Sequence, residues 1–492
     1  MFRFLLSIVI TITIISSFSY PVFSQSYLNF PIDTLARDEY YNYRTMTKFD
    51  ANGKIHMVNS RTLGTPSNTR EIFYRNNVSG SFVTTRVTNN NVDDNYATMG
   101  FDAQGFVHIG WERRDPTNFQ LIYANNRNGN FNDTVWITTG GVNKATPFMA
   151  VGRGDSLVHF VYYTFVTGNN NAYYRSYNYI TRVLGPEVFL SAAMTGSEND
   201  IEVAVDNNNK IHIVYSTNVN INGGALRYWT NESGSLVEMP TGISANGEYP
   251  DITIDNNNVI NIVYRFATDH VLYVLRRTAG TGNPFASPVA ITPSGIGNPA
   301  YWRTIDTDDN GRLYVTYQNS ISSAPRGFFL VHGVGTNFVQ PILIFEDSTS
   351  SYVTRGNSSV AARGNGEIAI TFEPAGSRNG QVISDIFMKK GILNLTNIEP
   401  VNEVVEGYEL SQNYPNPFNP STNFEFKIPN SGFVKLTIYD INGKEISILL
   451  NQQMTAGTYN VTFDGSALTS GTYFYKLETD KFSETKKMLL VK

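Results

Sequence analysis

The stretch DNNNKIHIVY, Asp206 to Tyr215, decides the fold. Asp and Asn cap their own backbone in a tight turn, and Asn, like Gly, tolerates positive φ. Ahead of the turn Ile201 to Val205 is a short apolar strand; after it a second, alternating strand closes on Tyr215. That is a β-hairpin. Aligned on its middle residue, the phrase occurs seven times, at His56, His108, His159, His212, Asn261, Tyr314 and Ala369. The steps between copies are 52, 51, 53, 49, 53 and 55 residues.

Several copies continue into a third element, an aromatic strand and a polar turn, as in Ile72 to Phe82, Leu121 to Phe131 and Leu226 to Leu236. A fourth short strand would complete an antiparallel unit. Such a meander cannot bury both faces alone, whereas seven stacked around an axis can. The period lies slightly above that of WD repeats and close to kelch, but neither signature recurs. A solenoid would use shorter coils, and separate sandwiches about twice the length per unit. The expectation is an all-β chain with a seven-bladed β-propeller over residues 46–397. Six blades is the alternative if the first or last copy is used differently in closure. Residues 25–45 are then a lead-in or a closure strand.

With 492 residues there is room for more than one core. The formal charge is −5, only 16% of residues are charged, and no basic tract stands out, so nucleic acid is not an expected partner. Cysteine is absent, which excludes disulfides, thiolate nucleophiles and Cys-ligated metals. Arg3, the apolar run Phe4 to Ile15 and the small-residue site Val22-Phe23-Ser24 read as a signal peptide over residues 1–24. No later stretch reaches transmembrane length, so the mature chain is expected to lack a membrane span.

After Ile398 the repeat stops. Residues 398–409 read as a linker with a short strand, followed by LSQNYPNPFNPSTNFEFKIP, Leu410 to Pro429. Four prolines between Pro415 and Pro429 exclude helix. Alternating strands and the turns Asn442-Gly443 and Asp464-Gly465 then predict a small, immunoglobulin-like β-sandwich over residues 410–492.

Gln412 to Pro420, Ile438 to Gly443, Ala456 to Tyr459, Asp464-Gly465, Ser470 to Tyr475 and Thr485 to Lys492 together resemble the type A sorting domain of the type IX secretion system. The resemblance implies Sec export, passage across the outer membrane of a Gram-negative cell, and a protein released or held at the surface. The type IX machinery is then a partner, and the sandwich an address rather than a catalyst.

The blade phrase resembles the BNR-like, sialidase-superfamily propellers over roughly residues 46–397. The Asp-box of that superfamily, Ser-x-Asp-x-Gly-x-x-Trp, is not clearly present in any copy. The resemblance implies an arginine cluster for a substrate carboxylate, a Tyr–Glu pair and an Asp acid/base. Arg113, Arg114, Arg265 and Arg303 lie at or near repeat strands, and Glu112 and Glu373 at strand ends. No motif assigns any of them a role, so catalytic and metal residues stay unknown at this point.

His56, His108, His159 and His212 share one repeat position, which suggests a metal-binding ring. Successive blades would turn that position away, and the other copies place Asn261, Tyr314 and Ala369 there. The histidines are therefore expected to be structural, hydrogen-bonded between strands. Asp206 and Asp255 with their Asn runs offer oxygen ligands for calcium, but the spacing of a calcium loop is incomplete; no cofactor is otherwise expected. Trp111, Trp229 and Trp302 lie within blades, where cores consume aromatics as readily as sugar platforms do. The leading expectation is a binding module for glycans or surface partners. The alternative is a carbohydrate-active enzyme, a sialidase-like hydrolase or a polysaccharide lyase, and a protein scaffold is third.

Overall fold

The structure, a computed structural model, describes residues 28–492 except 29, 37–41, 64–68, 116–117, 166–169, 195–200, 218–223, 281, 295–298, 320–326, 347–351, 354–356, 365, 379–380, 394–397, 402–406, 431, 455–456 and 466–467. The signal peptide expected at 1–24 lies outside the described residues. Among them no helix is long and apolar enough to cross a membrane.

The described secondary structure is strand throughout. Each copy of the phrase forms the first two strands of one antiparallel sheet. Sheet 1 runs Asn42–Phe49, Ile55–Thr62, Arg70–Asn76, Val83–Arg86, and sheet 2 follows the same plan from Asp93–Phe101 to Thr134–Trp136. Sheet 3 opens on Asn143–Val151, sheet 4 on Ile201–Val205, sheet 5 on Gly247–Ile254 and sheet 6 on Pro299–Thr307. Sheet 7 comprises Ser358–Arg363, Glu367–Phe372 and Ile386–Ile392, and its outer strand is Ile32–Ala36, from the far end of the chain. The segment expected as lead-in or closure strand thus pairs with sheet 7. Lys389 Nζ donates to the Leu28 carbonyl at 2.7 Å beside that pairing.

The turns explain the Asp-x-x-Gly and Asp-Asn-Asn-Asn phrases. Asp206 Oδ1 accepts the Asn208 and Lys210 N–H groups at 2.8 and 2.7 Å, and Asp255 Oδ1 does the same for Asn257 and Val259. The last turn residue has positive φ, +75° at Gly53 and +74° at Gly311, +57° at Asn209 and +59° at Asn258, which favours Gly and Asn there, with Ser156 at +59° the exception in sheet 3. Neighbouring turns are tied together: Arg153 N–H donates to Asn209 Oδ1 at 2.7 Å, Asn207 N–H to Asn258 Oδ1 at 2.9 Å and Gly364 N–H to Asp309 Oδ2 at 3.0 Å.

The apolar alternation feeds cores between sheets. Val58, Ile72 and Tyr74 of sheet 1 meet Met99, Ile109 and Trp111 of sheet 2. Equivalent clusters join each sheet to the next, and Ile55 and Met57 of sheet 1 pack with Ala369 and Met388 of sheet 7. The first strands lie side by side in the order of the chain, and that of sheet 7 also touches that of sheet 1. The architecture is propeller-like.

The C-terminal unit is a sandwich of two four-stranded sheets around a single core that includes Phe424, Leu436, Val461, Tyr475 and Met488. Within the stretch expected as linker, Ile398–Val401 forms a strand paired with Gly457–Asp464. The proline-rich opening is stapled to the sandwich: Asn413 N–H donates to Tyr475 Oη at 2.9 Å, Tyr475 O–H to the Ser411 carbonyl at 2.8 Å, and Phe418 is buried.

Candidate functional site at the bulged end of the first strands

The hairpin turns occupy one end of the first strands. At the other end the ladder is interrupted: one extra residue enters the first strand between Tyr43 and Met46, Asn95 and Thr98, Ala145 and Phe148, and Glu248 and Asp251. The bulges hold Arg44, Tyr96, Thr146 and Tyr249 at φ values of +56°, +51°, +54° and +48°. Left-handed backbone at a non-glycine residue costs on the order of 1–3 kcal/mol and persists only where the surroundings impose it. Four such residues at one repeat position mark this end as the constrained one.

At two of the four, the residue four places after the centre of the repeat phrase clamps the bulge. Glu112 of sheet 2 reaches into sheet 3, where its Oε2 accepts the Thr146 N–H at 2.8 Å, while Oε1 accepts from Arg114 Nε. Glu373 of sheet 7 does the same for sheet 1, its Oε1 accepting the Thr45 N–H at 2.8 Å and the Thr45 hydroxyl, with Asn357 Nδ2 on Oε2. Burial pushes both carboxyls above the usual range, and Arg114 and the Thr45 donors pull back only in part. The two glutamates singled out by sequence are bulge clamps with both oxygens engaged.

The arginines divide. Arg113 is tied to buried Asp94, Nε to Oδ1 at 2.7 Å and Nη2 to Oδ2 at 2.9 Å, and Trp111 Nε1 donates to the same carboxylate. Arg265 pairs with Glu248 at 2.8 Å and lies 5.3 Å from the Tyr249 ring centre. Arg114, clamped by Glu112, stands 5.4 Å from the Tyr96 ring and 4.8 Å from Phe119. Arg44, which sequence reading missed, approaches Tyr96 from sheet 1 at 5.3 Å and Phe148 of sheet 3 at 4.1 Å. Arg44, Tyr96 and Arg114 thus converge, two cations about one tyrosine ring. The only trace of the bulges in the sequence is one surplus residue before an apolar alternation, which periodicity cannot separate from a loop. The side chains of Trp302 and Arg303 lie outside the described residues.

The histidines do not converge. Each lies in its own sheet, with Nδ1 on a tyrosine hydroxyl of the third strand: Tyr74 at 2.5 Å, Tyr123 at 2.6 Å, Tyr174 at 2.8 Å and Tyr228 at 2.5 Å for His56, His108, His159 and His212. Nε2 faces the turn aspartate, as at 3.3 Å from Asp102 and 3.6 Å from Asp206. Burial lowers His108 and His159 to about 4. Asp206 therefore divides its oxygens between its own turn and His212. Among the described residues no group of three or more His, Asp or Glu is placed to hold a metal ion. Trp111 is fully buried, and Trp229 is half-buried and bonded to Tyr215 at 3.1 Å. Trp136, which the sequence did not single out, is 45% exposed.

In the C-terminal unit the stapled proline-rich opening, the paired sheets and the terminal strand coincide with a known module: residues 412–492 match the family of secretion system C-terminal sorting domains. The C-terminal unit is a sorting domain. The chain is accordingly a cargo of the type IX secretion machinery, secreted or held at the outer cell surface. No curated protein matches the chain. Among solved structures, a protein of unknown function from Dyadobacter fermentans aligns over 73% of this chain and 98% of its own, at 8% identity and a TM-score of 0.45. A polysaccharide lyase of the PL25 ulvan lyase family aligns over 75% and 94% at 10% identity, TM-score 0.43. An oligogalacturonate lyase in complex with manganese aligns over 75% and 94% at 7% identity, TM-score 0.47. No residue of this chain takes a role from these likenesses.

Proposed function

We propose that the seven sheets are the blades of a closed seven-bladed propeller, and that its bulged mouth binds anionic polysaccharide outside the cell. Closure is supported by the contact of sheet 7 with sheet 1 and by the outer strand that Ile32–Ala36 lends to sheet 7. The binding reading is carried by one observation: Arg44, Tyr96 and Arg114 converge at strained backbone. Guanidinium groups match carboxylates, and an aromatic face matches a sugar ring. The opposite end is closed by polar turns bonded to one another, which leaves less for a ligand to engage.

A second reading is that the mouth also cleaves what it binds. Both oxygens of Glu112 and of Glu373 are committed to clamping, which speaks against a retaining glycosidase built on them. Tyr96 beside two arginines suits elimination better: its phenolate takes the C5 proton beside a uronate carboxylate that the guanidinium groups neutralise, the C4–O glycosidic bond breaks as the C4=C5 double bond forms, and the departing oxygen takes a proton from water.

The test is titration of the mature full chain with polygalacturonate, alginate and a neutral glucan, with ultraviolet detection of unsaturated uronate. Binding confined to the polyuronates, falling with salt and weakened about tenfold by Arg44→Gln, would support the mouth. Equal binding of the neutral glucan would sink it. Unsaturated product that disappears in Tyr96→Phe would select the lyase reading over binding alone.

A further inference from the structure

An address is read from its surface, and the sorting domain presents one surface that its own packing does not explain. One of its sheets runs Glu445–Met454, Gly432–Tyr439, Gly471–Thr479, Ser483–Leu490, so the terminal strand is an edge. The proline-rich opening lies along that edge. Gln412 Nε2 and Asn416 Nδ2 donate to the Lys487 carbonyl at 2.9 and 3.3 Å, and Asn416 Oδ1 accepts the Leu489 N–H at 2.9 Å. Phe418 continues the contact: its N–H donates to the Leu489 carbonyl at 2.9 Å, and its carbonyl accepts the Val491 N–H at 3.0 Å.

Between these anchors stands Tyr414. Its N–H donates to the Asn423 carbonyl at 3.0 Å and its carbonyl accepts the Asn423 N–H at 2.9 Å, so the backbone is pinned in both directions. Asn413 Nδ2 fixes the next residue by donating to the Pro415 carbonyl at 3.1 Å. The Tyr414 side chain is nevertheless 80% exposed and adds little to the core. Pro415 and Pro417 are exposed beside it, and Leu489 and Val491 face outward from the terminal strand, whose alternation buries Met488 and Leu490. Lys487 flanks this apolar strip. Its neighbour Lys486 is paired with Glu484 at 3.2 Å, whereas Lys487 is exposed and has no carboxylate partner among the described residues.

We propose that Tyr414, with Leu489 and Lys487 beside it, is the contact through which the type IX machinery recognises this chain, and that the machinery offers an apolar groove with an acidic rim. An aromatic side chain on pinned backbone loses little freedom on binding and buries a large area, which is the character of the residues that dominate interfaces. The unpaired Lys487 ammonium sets the sign of the rim. The other strongly exposed apolar side chain of the unit, Ile441 at 68%, stands alone at the Asp440–Gly443 turn, on the side of the sheet away from the terminal strand. Single exposed hydrophobes are ordinary, whereas a strip drawn from two segments is not. The inference stands on the sorting domain and is independent of what the propeller-like unit binds.

The experiment is to produce full-length variants in cells that carry the machinery and to measure external against retained protein. Tyr414→Ser is expected to lower the external fraction about tenfold or more, the effect of losing a dominant anchor. Lys487→Glu should lower it severalfold, and Lys487→Arg, which keeps the charge, should restore it. Ile441→Ser should be exported like wild type. Urea unfolding of the purified full chains separates recognition from folding: the sorting-domain midpoint should be unchanged in Tyr414→Ser, because the ring is exposed. Wild-type export of Tyr414→Ser overturns the proposal, and so does an equal loss in Ile441→Ser. A lowered midpoint in Tyr414→Ser together with normal export of Lys487→Glu overturns it as well, since the loss would then be one of folding.

Discussion

Ala369 shows what the centre of the repeat phrase demands. Where His56, His108, His159 or His212 stands, a ring links the turn aspartate to a third-strand tyrosine; Asn261 instead accepts Arg276 Nε at 2.7 Å, and the Tyr314 hydroxyl donates to Asp308 at 2.9 Å. Ala369 makes no such link and packs with Ile55, Met57 and Met388. The position tolerates a satisfied polar group or none, as a place between packed sheets does and a ligand ring does not. Acid should reveal the histidines. Burial holds His108 and His159 at about 4 against an ordinary 6.5, so between those values the unfolded chain binds protons that the folded chain refuses. The stability they contribute is complete above pH 6.5 and is lost as pH falls toward about 4. Urea midpoints measured across that window should drop with acid, and less steeply in His108→Asn; parallel profiles for the two proteins would refute this. At the bulges, Glu112→Ala strands the Thr146 N–H and leaves Arg114 without its carboxylate, and should cost about 2–4 kcal/mol in denaturant unfolding. Glu112→Gln keeps an acceptor for Thr146 and should cost clearly less. The structural role of the histidines was legible because the repeat itself varies at their position. The role of Glu112 was not, since its partner Thr146 is 34 residues away and meets it only across a sheet boundary.

At the scale of elements, the outer strand of sheet 7 is the joint that holds the two ends of the propeller-like unit together. Ile32–Ala36 pairs with Ile386–Ile392, and Leu28 beside it is buried among Tyr314, Phe328 and Ile368, with its N–H on the Leu343 carbonyl at 2.9 Å. Removing residues 28–36 should destabilise the unit by at least about 2 kcal/mol, since burial of Leu28 alone is worth roughly 1.5–3 kcal/mol. Limited proteolysis should then cut first within Ile386–Ile392, whose edge would be bare; initial cuts elsewhere would assign the closure to another contact. The hairpins and their turns were legible because Asp capping and the φ of Gly and Asn act within five residues. The strand Ile32–Ala36 carries too little pattern to be placed, because its partner lies some 350 residues away and selects it through backbone hydrogen bonds, which do not depend on sequence.

At the scale of the whole molecule, two units share one chain and divide the work. The sorting domain is the address, so a chain ending at residue 409 should accumulate inside the outer membrane rather than beyond it. Fractionation of the producing cells checks this, and external protein at wild-type level would place the address elsewhere. The architecture and the address were determined by sequence alone: seven copies of a local turn-and-strand phrase, and a series of short motifs around Tyr414 to Phe418, act at ranges a linear reading can see. The candidate site was legible only in the tertiary structure. Arg44, Tyr96 and Arg114 come from two sheets, so no spacing along the chain encodes their meeting. Repetition makes a fold readable because each copy repeats the same local physics, whereas a site on the axis depends on the differences between copies, which acquire meaning only when the sheets face one another.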